Sequence, residues 1–172
     1  MKKYIGRPAD NEGRSAMEVK TYDFLDRLGM HYETICHEAI YTMDGRGTAE
    51  KELGVPINKN LFLCNRQKTQ FYLLMLPGDK HFNAKCLSAE LECARLSFAD
   101  ELYMVDLLGI HPGSVSPMGQ MNDKENKVLL VIDKDFLSSS EFFGCHPCVN
   151  TATMKLSFQE FLQKFVPMTG HT

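Results

Sequence analysis

Apolar positions in this chain recur with two periods, and each period predicts its own elements. Behind Ser15-Ala16-Met17-Glu18, which has capping-box spacing, Val19, Tyr22, Leu25 and Leu28 share one helical face, and Gly29 closes the run. Thr48–Leu53 predicts a short helix stopped by Gly54 and Pro56, and Phe82–Glu92 another. Asp100–Leu108 carries acidic residues in its first turn and Gly109 after its end. Ser157-Phe158-Gln159-Glu160 repeats the capping box and opens a last helix, expected to run to about Val166 before Pro167.

Strand-like runs stand between these helices. They are His31–Cys36, Lys59–Cys64, Gln70–Leu76, Leu96–Ala99, Val128–Ile132, Glu141–Gly144 and Thr151–Leu156. The polar stretch Asn65–Thr69 joins two of them as a hairpin. Helices and strands mix without regular alternation, which predicts the α/β class with a mixed or mostly antiparallel sheet. Residues 1–14 are polar, contain Gly6, Pro8 and Gly13, and read as a flexible or loosely docked arm ahead of one domain over 15–172.

Composition narrows the class of function. A chain of 172 residues suffices for one domain with a real core. The longest apolar runs, Phe71–Leu76 and Val128–Ile132, are too short to span a bilayer. Met1–Pro8 is basic but is followed by no apolar h-region, so no secretory signal is expected and the cytoplasm is the expected compartment. Six cysteines then read as free thiols. A net charge of −3 argues against a broad nucleic-acid-coating surface, yet leaves room for a local basic patch gripping one end of an RNA.

Three separated segments place polar or glycine-rich chemistry beside strand-like runs, and strand ends are where sites converge. Lys59 starts a strand. It is either a solvated strand-end charge or an amine aimed at a phosphate or an ester oxygen. Asn60 beside it should point to the opposite face, so one of the two is expected to reach a pocket. Gly113-Ser114-Val115-Ser116-Pro117-Met118-Gly119 is either a surface turn or a loop whose backbone amides approach a substrate oxygen. It is neither a Walker loop nor a nucleophile elbow. His146 lies within Cys145-His146-Pro147-Cys148 and is either structural or a substrate contact. The C-x-x-C runs into a strand-like segment rather than opening a helix, and no second ligand pair has zinc spacing. A thiol redox or metal module is thus the outlying alternative. His37, after a strand, reads as a structural or pocket-wall residue, and no Ser/His/Asp set stands out.

In order, His37-Glu38-Ala39-Ile40-Tyr41-Thr42, Lys59-Asn60-Leu61-Phe62-Leu63, Leu76-Pro77-Gly78-Asp79-Lys80, Arg95–Ala99, Gly113–Gly119 and His146-Pro147…Asn150-Thr151-Ala152-Thr153 resemble the YbaK/ProX family of aminoacyl-tRNA editing domains over roughly residues 15–167. Within that family the likeness is to the freestanding prolyl-tRNA editing type. The resemblance implies a mixed α/β fold on a single curved sheet flanked by helices. It implies hydrolysis of the ester joining a wrong amino acid, commonly alanine, to proline tRNA. Removal of cysteine from the same tRNA, or noncatalytic tRNA binding by the same fold, are the alternatives. Lys59, His146 and Gly113 match the functional lysine, the pocket histidine and the head of the pocket loop. Asn60, His37, Tyr41 and Thr42 are expected on the substrate side, as are Ser114, Ser116, Pro117, Met118 and Gly119. No metal or cofactor is called for, because an activated ester needs mainly a held carbonyl and a positioned water. In this family a hydroxyl of the terminal ribose is thought to help with the water. Prolyl-tRNA synthetase is a further partner the resemblance allows. The cysteines flanking His146 depart from the family pattern.

Overall fold

The computed structural model describes residues 1–171. Its strands form two four-stranded sheets. In the first, β1 (Lys2–Ile5), β2 (Tyr32–Cys36), β8 (Ala152–Ser157) and β7 (Phe142–Cys145) lie side by side, all antiparallel. In the second the order is β5 (Ser97–Phe98), β3 (Lys59–Cys64), β4 (Phe71–Leu76) and β6 (Val128–Ile132), with β4 and β6 parallel. The mixed α/β fold matches the expectation, whereas the expected single sheet is divided in two. A lone parallel bridge between Ile57 and Gly144 joins the halves, with Gly144 N donating to Pro56 O at 2.9 Å. Gly144 permits the approach: a Cβ there would stand 2.8 Å from Ile57 Cγ1.

The core follows the strand period. Along β4, Phe71, Leu73 and Met75 enter the main core, and Tyr72, Leu74 and Leu76 enter a second cluster with Leu63 and Leu96. The strand is buried throughout, so its apolar run is continuous rather than alternating. Each such side chain stabilises the fold by about 1.5–3 kcal/mol relative to leaving it in water.

Caps set the helix boundaries. Ser15 Oγ accepts from Glu18 N at 3.1 Å to open α1 (Ala16–Arg27). α2 (Met43–Leu53) starts earlier than expected, because Thr42 Oγ1 accepts from Gly45 N at 3.2 Å and the helix carries Gly45 and Gly47 through its first turns. α3 (Ala84–Glu90) and α4 (Glu101–Leu108) follow, the latter closed by Gly109 at φ 66°. α5 (Lys134–Ser139), absent from the sequence reading, is capped by Asp133. The last helix passes Pro167 rather than stopping before it. α6 (Phe158–Glu160) widens into a π turn over Phe161–Phe165, and α7 (Val166–Thr169), which contains Pro167, continues directly from it.

The arm expected over 1–14 is partly structured. Lys2–Ile5 is an edge strand on β2, and Arg7 bonds Asp23 at 2.6 Å. Among the described residues no helix is long and apolar enough to cross a membrane.

Candidate active site

A cavity of about 450 Å³ opens where the two sheets meet. The three segments singled out in the sequence converge on it. Lys59 and Asn60 from β3, Gly113 and Val115 from the loop after α4, and Cys145 and His146 from the end of β7 all line it. The segment between β2 and α2 supplies Tyr41 and Thr42. Two cations, Lys59 and Arg46, line it, and among the described residues no Asp or Glu does.

Lys59 and Asn60 both reach the cavity, although strand alternation predicts one. The cavity wraps around the first residues of β3, where Asn58 N bonds Gly144 O at 3.3 Å, instead of lying on one sheet face. Lys59 Nζ donates to Lys80 O at 2.8 Å, and among the described residues no carboxylate oxygen lies within salt-bridge distance of it. The Asn58 amide donates to Asn60 Oδ1, and Asn60 Nδ2 donates to Val115 O at 3.1 Å, so the strand holds the loop in place. Arg46 donates from Nη1 to Gly78 O at 2.8 Å, and its Nε lies 3.4 Å from Glu50 Oε1.

His146 Nδ1 lies 2.8 Å from Ala152 O. A carbonyl can only accept, so Nδ1 carries the proton and Nε2 presents a lone pair. Burial pushes the pKa of His146 below the usual histidine value, opposed by that backbone bond and assisted by neighbouring His37. His37 stands one layer behind, its ring centroid 6.4 Å from that of His146. Its Nδ1 donates to Glu38 O at 2.7 Å and its Nε2 accepts from Thr153 Oγ1 at 2.8 Å, so Thr153, not His37, forms the wall. Burial lowers the pKa of His37 too. Both rings are neutral at pH 7, and the site offers an imidazole acceptor rather than a second pair of charges.

The glycine-rich loop divides. Gly113, at φ 86°, and Val115 face the cavity, and their amides have no partner among the described residues. Ser114 N instead donates to His111 O at 3.2 Å. Ser116 turns inward: its Oγ donates to His146 O at 2.6 Å and accepts from Met118 N at 3.2 Å. Pro117, Met118 and Gly119 enter a buried 3₁₀ turn over Pro117–Asn122. Ser114, Ser116, Pro117, Met118 and Gly119 therefore support the cavity from behind and do not line it. Small residues pack as readily under a loop as on its face, and a Cβ on Gly119 would stand 2.5 Å from Ile110 Cδ1.

Cys145 and Cys148 are both buried. Burial pushes the Cys148 thiol up to about 12 and raises Cys145 as well, so neither offers a thiolate at neutral pH. Among the described residues no group of three or more His, Cys, Asp or Glu side chains is placed to hold a metal ion. Arg46, Asn58, Val115 and Thr153 are cavity residues the sequence reading did not single out. Asn58 could have been found from its place in the turn before Lys59. Arg46 lies between Gly45 and Gly47, which read as loop, and nothing local marks its target.

A family model described as the aminoacyl-tRNA editing domain matches residues 37–164. The chain is 34% identical over 163 residues to the prolyl-tRNA editing protein ProX of Acetoanaerobium sticklandii, covering 95% of this chain and 96% of that one. It is 32% identical over 166 residues to the prolyl-tRNA synthetase associated domain-containing protein 1 of Bos taurus, covering 95% and 94%. A crystal structure of a proposed trans-editing enzyme for prolyl tRNA synthetase superposes with a TM-score of 0.66 at 16% identity, covering 92% and 94%, which is a likeness of fold.

Proposed function

We propose a trans-editing role for this chain, which belongs to the aminoacyl-tRNA editing domain family and is an aminoacyl-tRNA deacylase. Its substrate is proline tRNA carrying a wrong amino acid, alanine in preference to cysteine, and it acts in the cytoplasm with prolyl-tRNA synthetase as a partner. The observation that carries this reading is one cavity lined by two cations, a neutral imidazole and two loop residues, Gly113 and Val115, whose amides have no partner among the described residues. The names of the relatives, prolyl-tRNA editing protein and prolyl-tRNA synthetase associated domain, support the choice of tRNA and of partner.

The chemistry follows from what each group can do. The tRNA 3′ end brings phosphate charge, and Lys59 and Arg46 provide the opposite sign on the cavity wall. The amides of Gly113 and Val115 donate to the ester carbonyl oxygen as charge develops on it. The lone pair of His146 Nε2 accepts from the aminoacyl group's ammonium and orients it. The substrate's own ribose hydroxyl positions the attacking water, so no protein nucleophile is needed. Asn58 and Asn60 hold Val115, and Ser116 holds the His146 backbone, so donors and acceptor stay in register.

Selection of alanine over proline is assigned to steric exclusion of the larger side chain by the cavity wall. The test is deacylation of proline tRNA charged in turn with alanine, cysteine and proline. Alanyl-tRNA is expected to be hydrolysed fastest and prolyl-tRNA far more slowly. Comparable rates on alanyl- and prolyl-tRNA would overturn the editing role, because a proofreader cannot destroy the correct product.

A further inference from the structure

We propose that the turn Pro77–Lys80 is a positioning device that seats both cavity cations, Arg46 and Lys59, for the phosphate nearest the scissile ester; this rests on the deacylase reading above. Lys80 N donates to Pro77 O at 3.1 Å and closes the turn. Two carbonyls of this one turn receive the two cations: Gly78 O takes Arg46 Nη1 at 2.8 Å, and Lys80 O takes Lys59 Nζ at 2.8 Å. A carbonyl orients a cation without cancelling its charge. Several cations elsewhere are instead paired with carboxylates, as Lys68 is with Asp100 at 2.7 Å and Lys127 with Glu125 at 2.6 Å. Glu50, the carboxylate within salt-bridge distance of Arg46 among the described residues, also accepts from Ile57 N at 3.0 Å and so is shared with the backbone.

The turn is itself anchored. Lys80 Nζ bonds Asp133 Oδ2 at 2.8 Å and Asp135 Oδ2 at 2.7 Å at the start of α5, and Asp133 N bonds Met75 O at 2.8 Å. Both aspartates are thereby paired with Lys80. Gly78 is required for the seat, since a Cβ there would stand 2.6 Å from both Arg46 Nη1 and Ile57 O. The Lys80–Asp135 pair is exposed and the Lys80–Asp133 pair only partly buried, so they contribute modestly to stability and their loss should disturb the turn more than the fold.

The probes are 2′(3′)-O-alanyl-adenosine with and without a 5′-phosphate, and the readout is the ratio of their kcat/KM values. A ratio does not change with the fraction of protein folded, so a purely structural defect leaves it alone. The wild type is expected to prefer the phosphorylated ester by roughly tenfold or more, the scale of a charge-assisted hydrogen bond to an anion. Arg46→Met and Lys80→Met should bring the ratio towards one, mainly through KM, Gly78→Ala should move it the same way, and Lys80→Arg should restore it. A wild-type ratio near one, or a wild-type ratio retained in Lys80→Met, would overturn the proposal while leaving the deacylase standing. If the wild type hydrolyses neither these esters nor alanyl-tRNA, the deacylase reading and this inference fall together.

Discussion

Replacing Lys59 by alanine separates a working amine from a strand-end charge. In the free protein the side chain makes one hydrogen bond, from Nζ to Lys80 O at 2.8 Å, and it is only half-buried. Losing that bond costs about 0.5–1.5 kcal/mol. For a chain of this size it should lower Tm by less than about 6 °C. The effect on turnover is larger if the amine meets an anionic substrate. A charge-assisted hydrogen bond of about 1.5–3 kcal/mol converts to a loss of roughly 10- to 150-fold in kcat/KM. The assay is single-turnover deacylation of labelled alanyl-tRNA for proline, run beside a thermal melt of the same preparation. Lys59→Arg keeps the charge on a planar, differently shaped head and should recover part of the loss. A Lys59→Ala protein that melts normally and deacylates within about twofold of wild type would refute the reasoning, since no loss on the scale of a charged contact would remain to explain.

Three further outcomes follow. Burial holds His37 and His146 below the usual histidine pKa, so the unfolded chain takes up protons more readily than the folded one; the associated stability, and the acceptor at His146 Nε2, should be fully present above about pH 6.5 and decline as pH falls through the lowered values. A pH series of melts and of background-corrected rates checks this, and a rate that rises as pH falls below about 6.5 would contradict the assigned acceptor. Iodoacetamide at about pH 8 should label exposed Cys86 while sparing buried Cys145 and Cys148 until denaturant is added, as read by mass spectrometry; rapid labelling of the buried pair would revive the thiol alternative. Gly119→Ala forces a Cβ to 2.5 Å from Ile110 Cδ1 and should cost about 1–3 kcal/mol, lowering Tm by roughly 2–12 °C, whereas an unchanged melt would place Gly119 outside the core.

The chain's local pattern determined its elements and the chemistry at their ends. Ser15 and Ser157 as caps, Gly54 and Gly109 as stops, and the buried run Phe71–Leu76 were legible because each depends on neighbours a few residues away. The convergence of Lys59, Gly113 and His146 was legible too, since sites form where strands end. What needed the tertiary structure depends on distant pairing. Two sheets replaced one because strand edges are matched across the whole chain, and a single close approach at Gly144 joins them. Ser116 to Gly119 suit loop and core alike, because small residues fit both and only the packing under Leu108 and Ile110 decides between them. Arg46 carried no local signal at all. Its place beside Lys59 depends on a carbonyl at Gly78, thirty-two positions further along, and a backbone carbonyl has no letter in the sequence.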